Sequence, residues 1–429
     1  MTFRRSRKGT ADDRGKVVAF PLEPKSRGLR GKLRQILPGV VTGAANVDPS
    51  LVLTATVAGA SFGYGLLWVV VLCVPFLEAI FGASARLGYE TRKGLVDLLR
   101  QNYGRRLALA CAGVIILINM AMIIADLMAV SDALSIILGH RRIYFVAVVA
   151  FSVWYILIFR NYRKVTEVLL WLSLPLFVYV AAAVIGTPNP AEVFYRTFVP
   201  RVSPSAAYAT AVLGMFGSLL TPYVLVWQTS SRREHAVTGG GRPHWFESHA
   251  GTLVTTVLSF SVMVASASAL HLSQPVAMTT RQAAMALEPV AGMLGPSLFA
   301  LGIIGAGMVA LPVLVTSMCY SVAEAMGWRS GLSENPWEAK SFYLLISLSV
   351  VVAAVGNFIH INPVKALFLS QVLAGVLTVP ILIFILVLSN DRRVMRTANT
   401  RYQNFWIGAA IGGLLSTELL WVWWALTRH

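Results

Sequence analysis

Apolar stretches of about 20 residues recur along most of this chain, and each is long enough to cross the hydrocarbon of a bilayer. A soluble core cannot absorb so many, so the bilayer itself must be the solvent. Composition agrees: 56% of the 429 residues are hydrophobic and only 13% are charged, where a soluble domain carries about 25% charged residues. Eleven spans are predicted, near 36–60, 66–86, 107–138, 143–159, 165–186, 206–229, 246–270, 296–326, 341–359, 363–389 and 403–426. The expected class is an all-α membrane protein with two parts, a basic arm over 1–35 and a transporter domain over 36–429.

Charge placement orients the spans. With the N-terminus inside, the segments on the cytoplasmic side hold 29 of the 36 Lys and Arg and the other side holds seven. One missed span would invert this bias downstream, so the positive-inside rule supports the count, with the C-terminus outside. Trp421, Trp423 and Trp424 suit an interfacial aromatic belt there. The formal net charge of +17 resides in loops and in the arm, which has eleven basic residues against three acids. The arm is expected to lie near anionic headgroups of the cell (inner or plasma) membrane. Nothing aromatic is interleaved with its charges as strand stacking would need, so no nucleic-acid partner is expected. Cys73, Cys111 and Cys319 lie in apolar segments without metal-ligand spacing and read as buried small hydrophobes.

No Lys or Arg lies deep in a span, yet Asp48, Glu78, Asp126, Asp132, Glu324 and Glu418 lie within them. Acids without basic partners in hydrocarbon must be protonated, face water or hold a cation. Asp48 stands out because Pro49 follows it. Proline lacks an N–H and clashes with the carbonyl four residues back, and it pushes the preceding residue out of the helical region. The sixth span repeats the device at Thr221-Pro222, and a glycine precedes both breaks, Gly43 and Gly217. Breaks in spans 1 and 6 make spans 1–5 and 6–10 equivalent halves. With five spans each, the repeat is inverted. Paired interrupted helices in two halves point to a transport site at the midplane, where freed carbonyls ligate cations.

With those residues in view, the chain resembles the Nramp family of divalent metal transporters over about residues 37–390. The stretches that carry the resemblance are Gly63-Tyr64-Gly65-Leu66-Leu67-Trp68-Val69, Ser84-Ala85-Arg86-Leu87-Gly88, Lys93-Gly94-Leu95, Ala125-Asp126-Leu127, Tyr162-Arg163-Lys164-Val165 and Leu369-Ser370-Gln371-Val372 with Pro380. The resemblance implies a LeuT-like inverted repeat of five plus five helices with an eleventh helix. It also implies a metal site built from an Asp-Pro-Gly-Asn motif in span 1 and a Met-Pro-His motif in span 6. Here those positions read Asp48-Pro49-Ser50-Leu51 and Thr221-Pro222-Tyr223.

Carried over residue by residue, the implied metal ligands are Asp48, the backbone at Ala45 and Ser218, Thr221, and Gln371 in span 10. Ser50, Tyr223, Glu78 and Asp126 are candidates for the surrounding shell or the pathway. A thioether favours soft transition metals, whereas Thr221 offers a hard oxygen. Few side-chain ligands remain, so the ion would keep several waters, as Mg²⁺ typically does. In this the chain is similar to the Nramp-related magnesium transporters, which also lack the Met. The family's proton route uses span 3 acids at positions that read Asn119 and Ala129 here. Its titrating His is Tyr223, whose ordinary pKa is about 10.

The expected function is therefore uptake of Mg²⁺ or Mn²⁺ without proton coupling. A membrane potential contributes about 4.6 kcal/mol for a dication at 100 mV. The alternatives are a proton-coupled Mn²⁺/Fe²⁺ symporter, an organic-solute symporter on the same fold, or a membrane sensor using the arm and the histidines His235, His244 and His249. The oligomeric state is left open, a monomer being compatible; the transported dication is the sole ligand expected, no resident cofactor is implied, and no hydrolase, P-loop or Rossmann motif suggests an enzyme.

Overall fold

The structure is a computed structural model. It describes residues 43, 46–159, 174–186, 189–200, 202–203, 205–237, 245–270, 276, 278–332, 334–358 and 361–427. The arm, Ala45, the Tyr162–Val165 motif and His244 lie outside the described residues, and the side chain of His235 is likewise not described. Among the described residues there is helix and no strand. Seven helical stretches are long and apolar enough to cross a membrane, and two shorter apolar helices join them.

Helix α1 (Pro49–Phe62) passes through one 3₁₀ turn, Gly63–Leu66, into α2 (Leu67–Thr91). Gly63 ends α1 at φ 55°, ψ −131°, a conformation left to glycine. Its neighbours are pinned: the Trp68 indole donates to the Tyr208 hydroxyl at 3.0 Å, and Tyr208 donates to the Gly65 carbonyl at 3.2 Å. There follow α3 (Leu95–Tyr103), α4 (Arg105–Leu138), α5 (Ile143–Phe159), α6 (Val178–Gly186) and α7 (Pro190–Phe198). The second half runs α8 (Ala206–Leu219), α9 (Pro222–Val237), α10 (Trp245–Ala269), α11 (Gly295–Met326), α12 (Lys340–Gly356) and α13 (Pro363–Asn390), and α14 (Arg401–Thr427) closes the chain. Every predicted span thus contains helix among the described residues, which for the fifth are 174–186. At 34 residues, α4 runs to about 50 Å and must tilt or protrude.

In lipid, helix association depends on close approach rather than on hydrophobic burial, and small residues supply it. A methyl group added to Gly217 on α8 would lie 1.9 Å from the Gln371 carbonyl of α13, and one on Gly375 of α13 would lie 2.5 Å from the Leu213 carbonyl of α8. These two glycines seat α13 directly on α8. On α11, a methyl group at Gly307 would collide with Val130 of α4 and approach the Pro49 ring within 3.1 Å. That glycine draws α4, α11 and the start of α1 into one junction.

The stretch predicted as the loop 86–106 instead contains α3, an amphipathic helix with buried Leu95, Val96, Leu98 and Leu99. Its start is capped by Glu324, one of the acids within the predicted spans. Glu324 is only 3% exposed. Its carboxylate accepts the N–H groups of Val96 and Asp97 at 3.2 and 3.3 Å and the Ser230 hydroxyl at 2.8 Å. A side chain at Gly94 would occupy the same space, 1.8 Å from the carboxylate oxygen. The Lys93-Gly94-Leu95 stretch therefore makes room for a carboxylate at a helix N-terminus, where negative charge is favoured. Arg86 of the Ser84–Gly88 stretch bonds Asn399 and reaches Gln403, tying α2 to the turn before α14.

Candidate functional site

The first break follows directly from proline chemistry. Gly43 and Asn46 are helical, Val47 bends, and Asp48 is extended at φ −79°, ψ 168° before Pro49 restarts the helix as α1. Asp48 serves as the N-cap: its Oδ1 accepts the Leu51 N–H at 2.6 Å. Its Oδ2 accepts the Tyr223 hydroxyl at 3.1 Å. Both residues are fully buried. The first residues of a helix present unpaired N–H groups, so a carboxylate is at home there.

The second break lies between α8 and α9. Leu220 leaves the helix at φ −96°, ψ 43°, Thr221 is non-helical, and Pro222 opens α9. Ser218 sits in the last turn of α8, where carbonyls lose their intrahelical partners. Its hydroxyl donates back to the Met215 carbonyl at 3.0 Å.

One residue joins the breaks, and sequence reasoning passed over it. Asn46 is fully buried. Its Oδ1 accepts the Thr221 hydroxyl at 2.5 Å, and its Nδ2 donates to the Leu219 carbonyl at 3.3 Å. The same Nδ2 reaches the Thr255 hydroxyl of α10 at 3.5 Å, and Thr255 donates to the Gly43 carbonyl at 3.2 Å. The amide thus satisfies a carbonyl freed by one break while standing two residues before the acid of the other. The available signal was an amide next to an intramembrane Asp-Pro.

Asp126 of α4 approaches from the third side. Its Oδ1 accepts the Ser50 hydroxyl of α1 at 2.5 Å. Asp48, Asp126 and Tyr223 lie close enough to act as electrostatic neighbours. Gln371 is fully buried on α13, backing onto Gly217 one residue from Ser218. Neither its Oε1 nor its Nε2 has a hydrogen-bond partner among the described residues, and the same holds for Asp126 Oδ2. Buried polar atoms in native proteins are almost always paired, so these three orphans, two on α13 and one on α4, call for water or a ligand.

The candidates do not all converge. Asp48 is bonded to Tyr223, Ser50 to Asp126 and Thr221 to Asn46, while Gln371 of α13 backs onto Gly217, the neighbour of Ser218. Ala45 is outside the described residues. Glu78 is bonded elsewhere: its carboxylate meets His249 Nδ1 of α10 at 2.6 Å, with both side chains 27% exposed. Leu51 is buried and apolar where the motif of the resemblance has an amide. Asn119, seven residues before Asp126 on α4, donates to the Leu314 carbonyl at 3.3 Å and to the Ser317 hydroxyl at 2.8 Å. Among the described residues no group of three or more His, Cys, Asp or Glu could hold a metal by itself. Any cation here relies on single acids, hydroxyl, amide and backbone oxygens.

Residues 39–423 match the family model described as natural resistance-associated macrophage protein-like. The fold is similar to crystal structures of a manganese transporter from Eremococcus coleocola. A histidine-to-alanine mutant of that protein aligns with TM-score 0.74 at 17% identity, over 92% of this chain and 88% of that one. The structure in complex with an aromatic bis-isothiourea substituted compound aligns with TM-score 0.70 at 18% identity, over 91% and 86%.

Proposed function

We propose, from the premise that this chain belongs to the Nramp family, that it takes up Mg²⁺ or Mn²⁺ as a partly hydrated ion bound at the two helix breaks. Nramp proteins are multi-pass membrane transporters of divalent metals and not enzymes, and the chain shares their LeuT-like fold. The finer reading concerns which ion and what drives it. Asp48 supplies the charge that contacts the ion, displacing the Tyr223 hydroxyl from Oδ2. Thr221 donates its proton to Asn46, which leaves its lone pairs free to accept the ion. The Ser218 and Ala45 carbonyls and the Gln371 amide oxygen complete a set of hard oxygens.

The observation that carries this reading is the pair of unpartnered amide atoms on fully buried Gln371. An amide oxygen can take a cation, but the amide nitrogen beside it cannot, so it needs a water oxygen. A site that must hold water alongside the ion suits a cation that dehydrates reluctantly. No thioether at Thr221 favours softer metals.

Proton coupling is not part of this reading. Asn119 and Ala129 carry no titratable proton at the positions implied for a proton route, and Tyr223 already donates its hydroxyl proton to Asp48. Uptake then runs down the electrochemical gradient, with the N-terminus inside. Liposomes holding a Mg²⁺ dye and a pH dye test this: Mg²⁺ influx without acidification, abolished in Asp48→Ala, is the expected result. Acidification in step with Mn²⁺ influx would refute the uncoupled mechanism. Flux of amino acids but not of metals would refute the cation site.

A further inference from the structure

Where the motif of the resemblance has glycine after its proline, this chain has Ser50. The side chain is fully buried in the first turn of α1, and its hydroxyl donates to Asp126 Oδ1. The contact is built into the packing. Gly307 of α11 admits both the Pro49 ring and Val130, which lies about one turn beyond Asp126 on α4. A larger residue there would push α1 and α4 apart. Asp126 is itself fully buried, and Oδ2 has no hydrogen-bond partner among the described residues. No Lys, Arg or His is bonded to either of its oxygens there. A carboxylate oxygen left bare in such a place is strongly unfavourable unless something of opposite polarity meets it.

We propose that Ser50 and Asp126 act as one unit that gives the cation site its second negative charge, Ser50 fixing the carboxyl group and Oδ2 receiving the ion's water shell. The inference rests on Asp48 being the charged ligand, as argued above. It explains how a site missing the motif's amide and thioether can still select a dication. A direct ligand acts only at contact distance, whereas a charge acts through a water layer with an energy proportional to the ion's charge. Two carboxyl groups, one touching the ion and one a water away, favour a hydrated dication over monovalent ions. Asp126 would then serve binding and Ser50 would be a positioning residue.

The test is a double-mutant cycle on the full chain in liposomes, reading KM and maximal rate for Mg²⁺. Asp126→Asn should raise KM about tenfold with the maximal rate within about twofold, as expected for loss of binding charge rather than of a moving part. Ser50→Ala should raise KM by about three- to fivefold. The double variant should be no worse than Asp126→Asn alone, because Ser50 acts only through Asp126. Should Asp126→Asn fail to reach the membrane folded, Ser50→Gly, which removes only the hydroxymethyl group, carries the same expectation as Ser50→Ala. Unchanged KM in the Ser50 variants, additive effects in the cycle, or a fall in maximal rate at constant KM would overturn the proposal. Asp48→Ala run beside them separates the two readings. If it abolishes flux while the cycle fails, only this inference falls, whereas flux surviving in Asp48→Ala removes the site itself.

Discussion

The two helix breaks share an architecture and differ in chemistry. At the first, an acid caps the restarting helix and exposes Oδ2 to one phenol. At the second, no charge is present: the break offers carbonyls at the end of α8 and one hydroxyl, and Asn46 already holds that hydroxyl and the Leu219 carbonyl. The first break therefore supplies attraction and the second supplies shape. The inverted repeat pairs two interruptions, of which one carries a carboxylate and the other only uncharged oxygens.

The largest effect is expected at the charged break. Asp48→Ala should lower Mg²⁺ transport by at least about a hundredfold, in line with the cost of losing the contacting charge in a buried site; residual flux above a tenth of the parent in liposomes contradicts this. The uncharged half responds first through packing. Gly217→Val drives a branched side chain into the Gln371 carbonyl, where even one methyl group would stand at 1.9 Å. Overpacking costs about 1–3 kcal/mol or more, so the variant should melt several degrees lower and lose transport. An unchanged melting curve in detergent would mean that α8 and α13 are not seated this closely.

A smaller effect is expected where the halves are tied. Asn46→Ala leaves the Leu219 carbonyl and the Thr221 hydroxyl without their partner, at a cost of about 1–3 kcal/mol. It should weaken Mg²⁺ binding while Asp48 remains; calorimetric titration of the full chain checks it. The mildest change sharpens the comparison. Thr221→Met replaces a hard oxygen by a thioether, so Cd²⁺ transport relative to Mg²⁺ should rise about several-fold. Constant relative rates would show that Thr221 only orients Asn46.

Much of the fold was legible in the sequence because each cause was local. Apolar length gave the spans, and Asp48-Pro49 and Thr221-Pro222 gave the breaks. The acid at the first break was legible for the same reason, since an intramembrane carboxylate beside proline has few bland explanations. What stayed hidden depends on distant partners. Nothing near Glu324 announces that it caps α3 from 228 residues away. Asn46 looked like one polar residue in a glycine-alanine run until Thr221, Leu219 and Thr255 were brought to it. Glu78 reads in sequence as a candidate for the shell or pathway around the ion, and only the packing of α10 on α2 reveals His249 beside it. Signature glycines could be recognised without being understood: Gly94 is small for the sake of a carboxylate, Gly217 for a carbonyl.

The central claim is that the cation sits at Asp48 still carrying water. Mn²⁺ bound to the full-length chain reports this directly, through electron–nuclear double resonance in water enriched in oxygen-17. About three or more exchangeable water ligands are expected on the bound ion, with loss of the bound-ion signal in Asp48→Ala. A Mn²⁺ ion with no exchangeable water, or one bound equally well without Asp48, would contradict it.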